Sequence, residues 1–277
     1  MRAVLGCDFS SAPSARKPIV VALGHQDRGR LVLDGWQRFA DLDAWGRWLC
    51  EAQQPWVGGF DFPFGLPREL VTTLGWPTDW RACVEHFAAQ PRAALREVLA
   101  AFCQARPVGH KFAHRATDGP AGSSPSMKWV NPPVAWMLHA GVPRLLAAGV
   151  SLPGLHSGDP QRVALEAYPG LLARCVLGNT PYKSDDKARQ TPQRLLARKT
   201  LVEALETGAV PLLQTAGLRL KLSHAQRDAL ADDPSGDSLD AVLCMVQAAW
   251  AQVQHEAGHP RWGLPDFDPL EGWIVSA

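Results

Sequence analysis

An α/β fold, with a mixed five-stranded sheet flanked by helices and a helical insertion after the fourth strand, is what this chain of 277 residues predicts. Three observations lead there. Short apolar runs bounded by turn residues alternate with segments of helical periodicity, as strands and helices that share a core do. Two of the runs end alike, in Gly6-Cys7-Asp8-Phe9 and Gly59-Phe60-Asp61-Phe62. A helical segment precedes the second of them, and a helix before a strand is the usual right-handed crossover to a parallel neighbour.

The elements follow in order. Residues 3–9 form an apolar strand, and the small-residue turn 10–14 leads to strands over 18–23 and 30–36, separated by a polar turn at 24–29. Leu42, Trp45, Trp48 and Leu49 recur at helical spacing within 39–52, with Asp41 placed as N-cap. The fourth strand, 56–60, is short and apolar and ends at Asp61. If the crossover returns it beside the first strand, Asp8 and Asp61 share one sheet edge. Pro63 and Pro67 then break the chain, and 68–149 reads as an insertion within a single domain spanning 1–277. Its clearest helices are 79–87, 92–105 and 134–148, with a long Gly-, Pro- and Ser-rich loop over 106–133. Loops of that length are uncommon unless functional or disordered. A strand over 162–167 carries Glu166, helices follow at 171–177 and 192–206, and a short helix at 223–231 has Ser223 as its cap. The long helix 238–256 and a final strand over 272–275 complete the chain.

Composition sets the class. A hydrophobic content of 46% and a charged fraction of 20% are those of an ordinary globular protein. No apolar run approaches the roughly 18 residues that span a bilayer, so no membrane is expected. The start has no signal-peptide layout, and six scattered cysteines without a C-x-x-C pair fit a reduced cytoplasm rather than a cysteine zinc site. The net charge of +1 does not announce a nucleic-acid binder. Locally, residues 183–199 hold six Lys or Arg, and 106–115 hold Arg106, His110, Lys111, His114 and Arg115. These are either solvated faces and helix ends or contacts to phosphate.

The chemistry lies in the acids. A carboxylate at a strand end must be hydrogen-bonded, paired or bound to a cation, so Asp8 and Asp61 are either turn caps or metal ligands. Asp237 and Asp240 open the last long helix three residues apart and face one side of it. Each is either a cap or first-turn acid, or a third and fourth ligand. Glu166 is a fifth acid at the same rim or an edge-strand charge. Hard oxygen donors of this kind suit Mg2+ or Mn2+, and two such ions can activate water and stabilise a leaving oxygen. Lys128 and Lys183, with Lys111 and Arg115, are the candidate contacts to a substrate phosphate. The string His255-Glu256-Ala257-Gly258-His259 matches the zinc-protease H-E-x-x-H pattern, but Gly258 and Pro260 take His259 off an intact helix. Trp129 and Trp136 flank the long loop, either as core or as stacking platforms for a base.

This order of elements, with acids ending strands one and four and a D-x-x-D on a late helix, resembles the RNase H-like superfamily, nearest in pattern to its Holliday-junction resolvases. More narrowly, the chain is similar to the uncharacterised-domain family numbered 429, whose members are described as predicted RNase H-fold nucleases. The residues that carry this are Gly6-Cys7-Asp8, the run Phe60-Asp61-Phe62-Pro63-Phe64-Gly65-Leu66-Pro67, Leu165-Glu166-Ala167-Tyr168-Pro169, Lys183, the start Asp237-Ser238-Leu239-Asp240-Ala241 and Glu271-Gly272-Trp273-Ile274. The resemblance implies an RNase H-like sheet and metal-dependent hydrolysis of the phosphodiester bonds of DNA or RNA. That role is carried by Asp8, Asp61, Asp237 and Asp240, with Glu166 as a further metal ligand. Resolvase-type enzymes carry a Glu where this chain has Asp61, so its reach is about one methylene shorter. Two other readings remain open. One is a nucleotide-dependent phosphotransferase of the actin-like and sugar-kinase type; the other is a nucleic-acid-binding domain without catalysis. Substrate shape and oligomeric state are not legible.

Overall fold

The computed structural model describes residues 2–51 and 54–277. Its centre is a seven-stranded mixed sheet in the order β5-β6-β4-β1-β2-β3-β7. The strands are β1 (Ala3–Asp8), β2 (Ile19–Asp27), β3 (Arg30–Phe39), β4 (Trp56–Phe60), β5 (Val150–Ser151), β6 (Asp159–Glu166) and β7 (Arg219–Lys221). The first three form the antiparallel meander. The helix α1 (Leu42–Glu51) then returns the chain so that β4 lies parallel to β1, with Gly6 opposite Gly59 and Cys7 opposite Phe60. Asp41 caps α1 by accepting a hydrogen bond from the Ala44 amide at 2.7 Å. The expected helix over 39–52 ends on Ala52, which lies outside the described residues.

Two expectations are corrected. The sheet has seven strands rather than five, because the two-residue β5 and the three-residue β7 extend its edges. Residues 272–275 form no strand. Gly272 sits at φ +70 and Ser276 at φ 71, both left-handed, so the tail cannot stay extended. It docks instead through single hydrogen bonds, from the Ile274 amide to the Thr117 hydroxyl at 3.0 Å and from the Val275 amide to the Glu166 carbonyl at 2.8 Å.

Between β4 and β5 come five helices: α2 (Arg68–Thr73), α3 (Trp80–Ala89), α4 (Arg92–Gln104), the single turn α5 (Asp118–Ala121) and α6 (Val134–Ala147). After β6 come α7 (Pro169–Leu177), α8 (Pro192–Thr207), α9 (Pro211–Ala216), α10 (His224–Asp232) and the long α11 (Asp237–Glu256).

Strand alternation sorts the core onto two faces. Leu5, Cys7, Trp56 and Phe60 point to the side covered by α1 and the helices after β4. Val4 and Val57 point to the side covered by α7 to α11. On that second face α11 lies across β1, β2 and β4. Gly6 and Gly59 make this possible. A Cβ on Gly6 would lie 2.0 Å from the Ala241 carbonyl oxygen, and one on Gly59 would lie 2.4 Å from that of Cys244. The helix backbone rests directly on the two strands, which brings its first turn to their ends.

Candidate active site at the ends of β1 and β4

Because residues two apart share a face, Gly6 and Asp8 point to the α11 side, as do Gly59 and Asp61. The Asp61 amide continues the ladder by donating to the Cys7 carbonyl at 2.9 Å, which fixes the two carboxylates side by side at one sheet edge. Across from them stands the start of α11. Its N-cap is Gly236, left-handed at φ +75, and the capping acid is Asp233. The Asp233 carboxylate accepts from the amides of Ser235, Gly236 and Ser238. With capping done by Asp233, Asp237 and Asp240 are left for other work. Asp237 is 5% exposed and Asp240 is fully buried.

The four aspartates feel one another. Burial pushes Asp8 well above the usual carboxylate range, and Asp240, Asp237 and Asp61 add to the push while Lys183 opposes it. Burial likewise lifts Asp61 to about 7, with Lys183 pulling down and Asp240 and Glu166 pushing further up. Among the described residues, no hydrogen bond or ion pair engages the side chain of Asp8 or Asp61.

The helix acids are different. Asp240 accepts a 2.5 Å hydrogen bond from the Tyr182 hydroxyl and forms an ion pair with Lys183. Asp237 pairs with Lys17 at 2.7 Å, and the same ammonium reaches Asp185 at 2.7 Å. Burial works against the charge on Lys183, but Asp240 and Asp8 outweigh it and hold the pKa well above that of a free lysine.

Two arginines of the basic segment after Lys183 hold this arrangement. Arg194 donates to the Lys183 carbonyl, and buried Arg198 donates to the Tyr182 carbonyl at 2.8 Å. Both guanidinium groups therefore fix the backbone of the Tyr182-Lys183 pair.

Glu166 ends β6, opposite Phe60 of β4, so it neighbours Asp61. It is 3% exposed, and both its oxygens are taken by Arg115, at 2.7 and 2.8 Å. The Phe64 amide adds a third hydrogen bond at 2.9 Å. Arg115, also 3% exposed, further contacts Asp118 at 3.0 Å and the Glu271 carbonyl at 3.0 Å. It is thus the counter-ion of two buried acids rather than a surface group that meets a phosphate. Lys111 is exposed and Lys128 half-buried, and neither lines the cavities beside Asp61.

Those cavities are two. One, of about 230 Å³, runs from Asp61 and Lys183 between Phe62, Val134, Met137 and Ile274. The other, of about 390 Å³, runs from the same two residues past Arg174, Asn179 and Thr180. Tyr168 stands in the wall of both, with the Arg174 guanidinium over its ring at 5.3 Å from the centroid.

Among the described residues, no group of three or more His, Cys, Asp or Glu side chains is arranged to hold a metal ion. The larger ligand set with Asp237, Asp240 and Glu166 is not assembled, because lysines and an arginine occupy those oxygens. What fits a hard divalent ion is the pair Asp8 and Asp61: bare oxygen donors, raised by burial and by one another, in the number that Mg2+ commonly takes from a protein. The H-E-x-x-H string is divided by the end of α11 at Glu256. Gly258 is left-handed at φ +96, and His255 stacks on Trp262 with centroids 4.0 Å apart.

Sequence reasoning missed Lys17, Tyr182, Tyr168 and Arg174. Tyr182 had a local signal as the neighbour of Lys183. Lys17 had none, because its partner Asp237 is 220 residues away.

Compared with known proteins, the chain matches over residues 6–260 the family model described as "Protein of unknown function (DUF429)". No curated protein and no solved structure matches it.

Proposed function

The chain belongs to that family, DUF429, and on this premise we propose that it is a metal-dependent nuclease of RNase H-like fold, hydrolysing phosphodiester bonds at the ends of β1 and β4. The observation that carries the reading is the bare pair Asp8 and Asp61 on adjoining strands, of which Asp61 lines two cavities. The five central strands support the fold assignment. They run β6-β4-β1-β2-β3, with the antiparallel meander on one side of β1 and the parallel strands on the other.

Asp8 and Asp61 would hold the cation. A divalent ion bound there supplies charge for a phosphoryl oxygen and lowers the pKa of a water. Lys183 faces both cavities and presents an ammonium to a phosphate oxygen, while Asp240 and Tyr182 hold its position. Arg174, in the wall of the larger cavity, offers a second cation to the adjoining backbone. Water attacks phosphorus, the P–O bond to the leaving group breaks, and the proton that the water gives up ends on the leaving oxygen.

The test is cleavage of single-stranded, duplex and branched DNA and RNA with Mg2+ or Mn2+, wild type beside Asp61→Asn. We expect cleavage by the wild type and a loss of about 10²–10³-fold in the variant, the size usual for removing a group that stabilises transition-state charge. Equal activity in both, or none with any substrate, would sink the reading. Binding by the wild type without cleavage would leave a nucleic-acid-binding domain.

A further inference from the structure

The two cavities that meet at Asp61 and Lys183 differ in chemistry. The larger is edged by Arg174, Asn179 and Thr180, groups suited to a charged backbone. The smaller is walled by Phe62, Val134, Met137 and Ile274, with Ser123 and Ser124 at its polar side. At about 230 Å³ it admits one planar heteroaromatic ring with its sugar, and no part of a stacked duplex. Away from Lys183 its lining does not suit a phosphate. Arg115 is already saturated by Glu166 and Asp118, and Lys183, paired with Asp240, stands at the end the two cavities share, so the rest of the wall is apolar side chain, hydroxyl and carboxylate.

The rest of the surface makes the same point. A protein that tracks a duplex neutralises several phosphates with a basic stripe. Here the net charge is +1, Lys17 and Lys183 are paired to acids, and Arg194 and Arg198 hold backbone carbonyls. With Lys183 and Arg174 as the cations beside the cavities, affinity for nucleic acid gains from taking up a base as well as from holding the backbone.

Resting on the nuclease reading, we propose that the smaller cavity is a base pocket: the substrate is a single strand, or an unpaired stretch, whose nucleotide next to the scissile phosphate turns out of its stack and inserts between Phe62 and Met137. Enzymes that reach into a strand in this way select unpaired substrate, because a paired base must first be unstacked and unpaired. Tyr168, between the cavities, separates the inserted base from the backbone that continues past Arg174. The ribose and deoxyribose forms share this chemistry.

The test uses single-stranded DNA and RNA 12-mers, each carrying one 2-aminopurine, moved along the strand position by position. They are mixed with the wild-type protein in the absence of divalent ions. Unstacking brightens 2-aminopurine, so one position, and not its neighbours, is expected to gain fluorescence severalfold on binding, in the DNA set, the RNA set or both. Met137→Trp and Val134→Phe fill the cavity from two sides. In folded variants, checked by thermal melting, each is expected to abolish that gain and weaken binding at least about tenfold, the scale of one lost base contact. A duplex of the same sequence is expected to bind at least about tenfold more weakly than the single strand.

A gain at no position, a gain that survives both fillings, or equal binding of duplex would overturn the base pocket. The nuclease reading fails separately. If the fluorescence gain and its loss on filling are seen but no strand is cut with Mg2+ or Mn2+, the pocket stands and the hydrolysis does not. If duplex is cut with no fluorescence gain, the hydrolysis stands and the pocket falls.

Discussion

Asp61 and Glu166 stand at the ends of neighbouring parallel strands and follow similar apolar runs, one half-buried and the other buried, yet they are treated oppositely. Glu166 accepts three hydrogen bonds, two of them from a buried guanidinium, the counter-ion that a desolvated charge requires. Asp61 has neither, and burial carries it to about 7. On the proposed reading, the contrast says where an external cation would belong. The fold has provided an internal one for Glu166, and lysines for Asp237 and Asp240, while Asp8 and Asp61 feel Lys183 only at a distance and make no ion pair of their own.

Removing the internal cation should have the largest effect. Arg115→Met leaves Glu166 and Asp118 buried and unpaired, and a loss of about 3–5 kcal/mol is expected in urea unfolding. A loss below about 1 kcal/mol would show that the two acids shed their charge at little cost and would erase the difference from Asp61.

The bare acid should reveal itself through pH. A carboxylate raised in the folded state binds more protons there than in the unfolded chain, where it titrates near ~3.9. The stability it contributes is therefore fully present below that unfolded value and falls as pH rises through about 7. Asp8 is shifted in the same direction. In cation-free protein the fall due to Asp61 is expected to reach up to about 4 kcal/mol, and Asp61→Asn should flatten the profile over that range. A profile unchanged by the substitution would show that Asp61 has a counter-charge after all. Added Mg2+ should restore stability chiefly at the upper end of the range, where the carboxylates must be ionised to bind it.

Asp237 lies between these extremes, since its partner Lys17 is itself 42% exposed. Lys17→Ala should cost less than about 1 kcal/mol and less still in high salt, as for other solvent-screened pairs. A larger loss, insensitive to salt, would move Asp237 into the class of Glu166.

Much of the site was legible in the chain, and for a local reason. Apolar runs, turn residues and the Asp41 and Ser223 caps act over a few residues, so the meander, the crossover and the adjacency of Asp8 and Asp61 follow from short stretches. The glycines of the two Gly-x-Asp-Phe elements were visible too, although their use, as the seat of α11, appears only when the helix lies on them. Arg115 was read as a candidate contact to phosphate because its neighbourhood is basic. Asp118, three residues on, was the nearby hint of another role, and Glu166, 51 residues away, was the larger reason. The short edge strands and the unextended tail fell below what a period of two can show.

The sequence by itself determined which segments become strands and helices and which acids end them, because backbone preference and hydrophobic period are properties of neighbours in the chain. Only the tertiary structure decided which acids receive a cation from the protein. That choice depends on side chains brought together from as far apart as Lys17 and Asp237, within a desolvated space where each charge must find a partner or raise its pKa. Among the described residues of the site, Asp8 and Asp61 are the acids whose side chains make no hydrogen bond or ion pair.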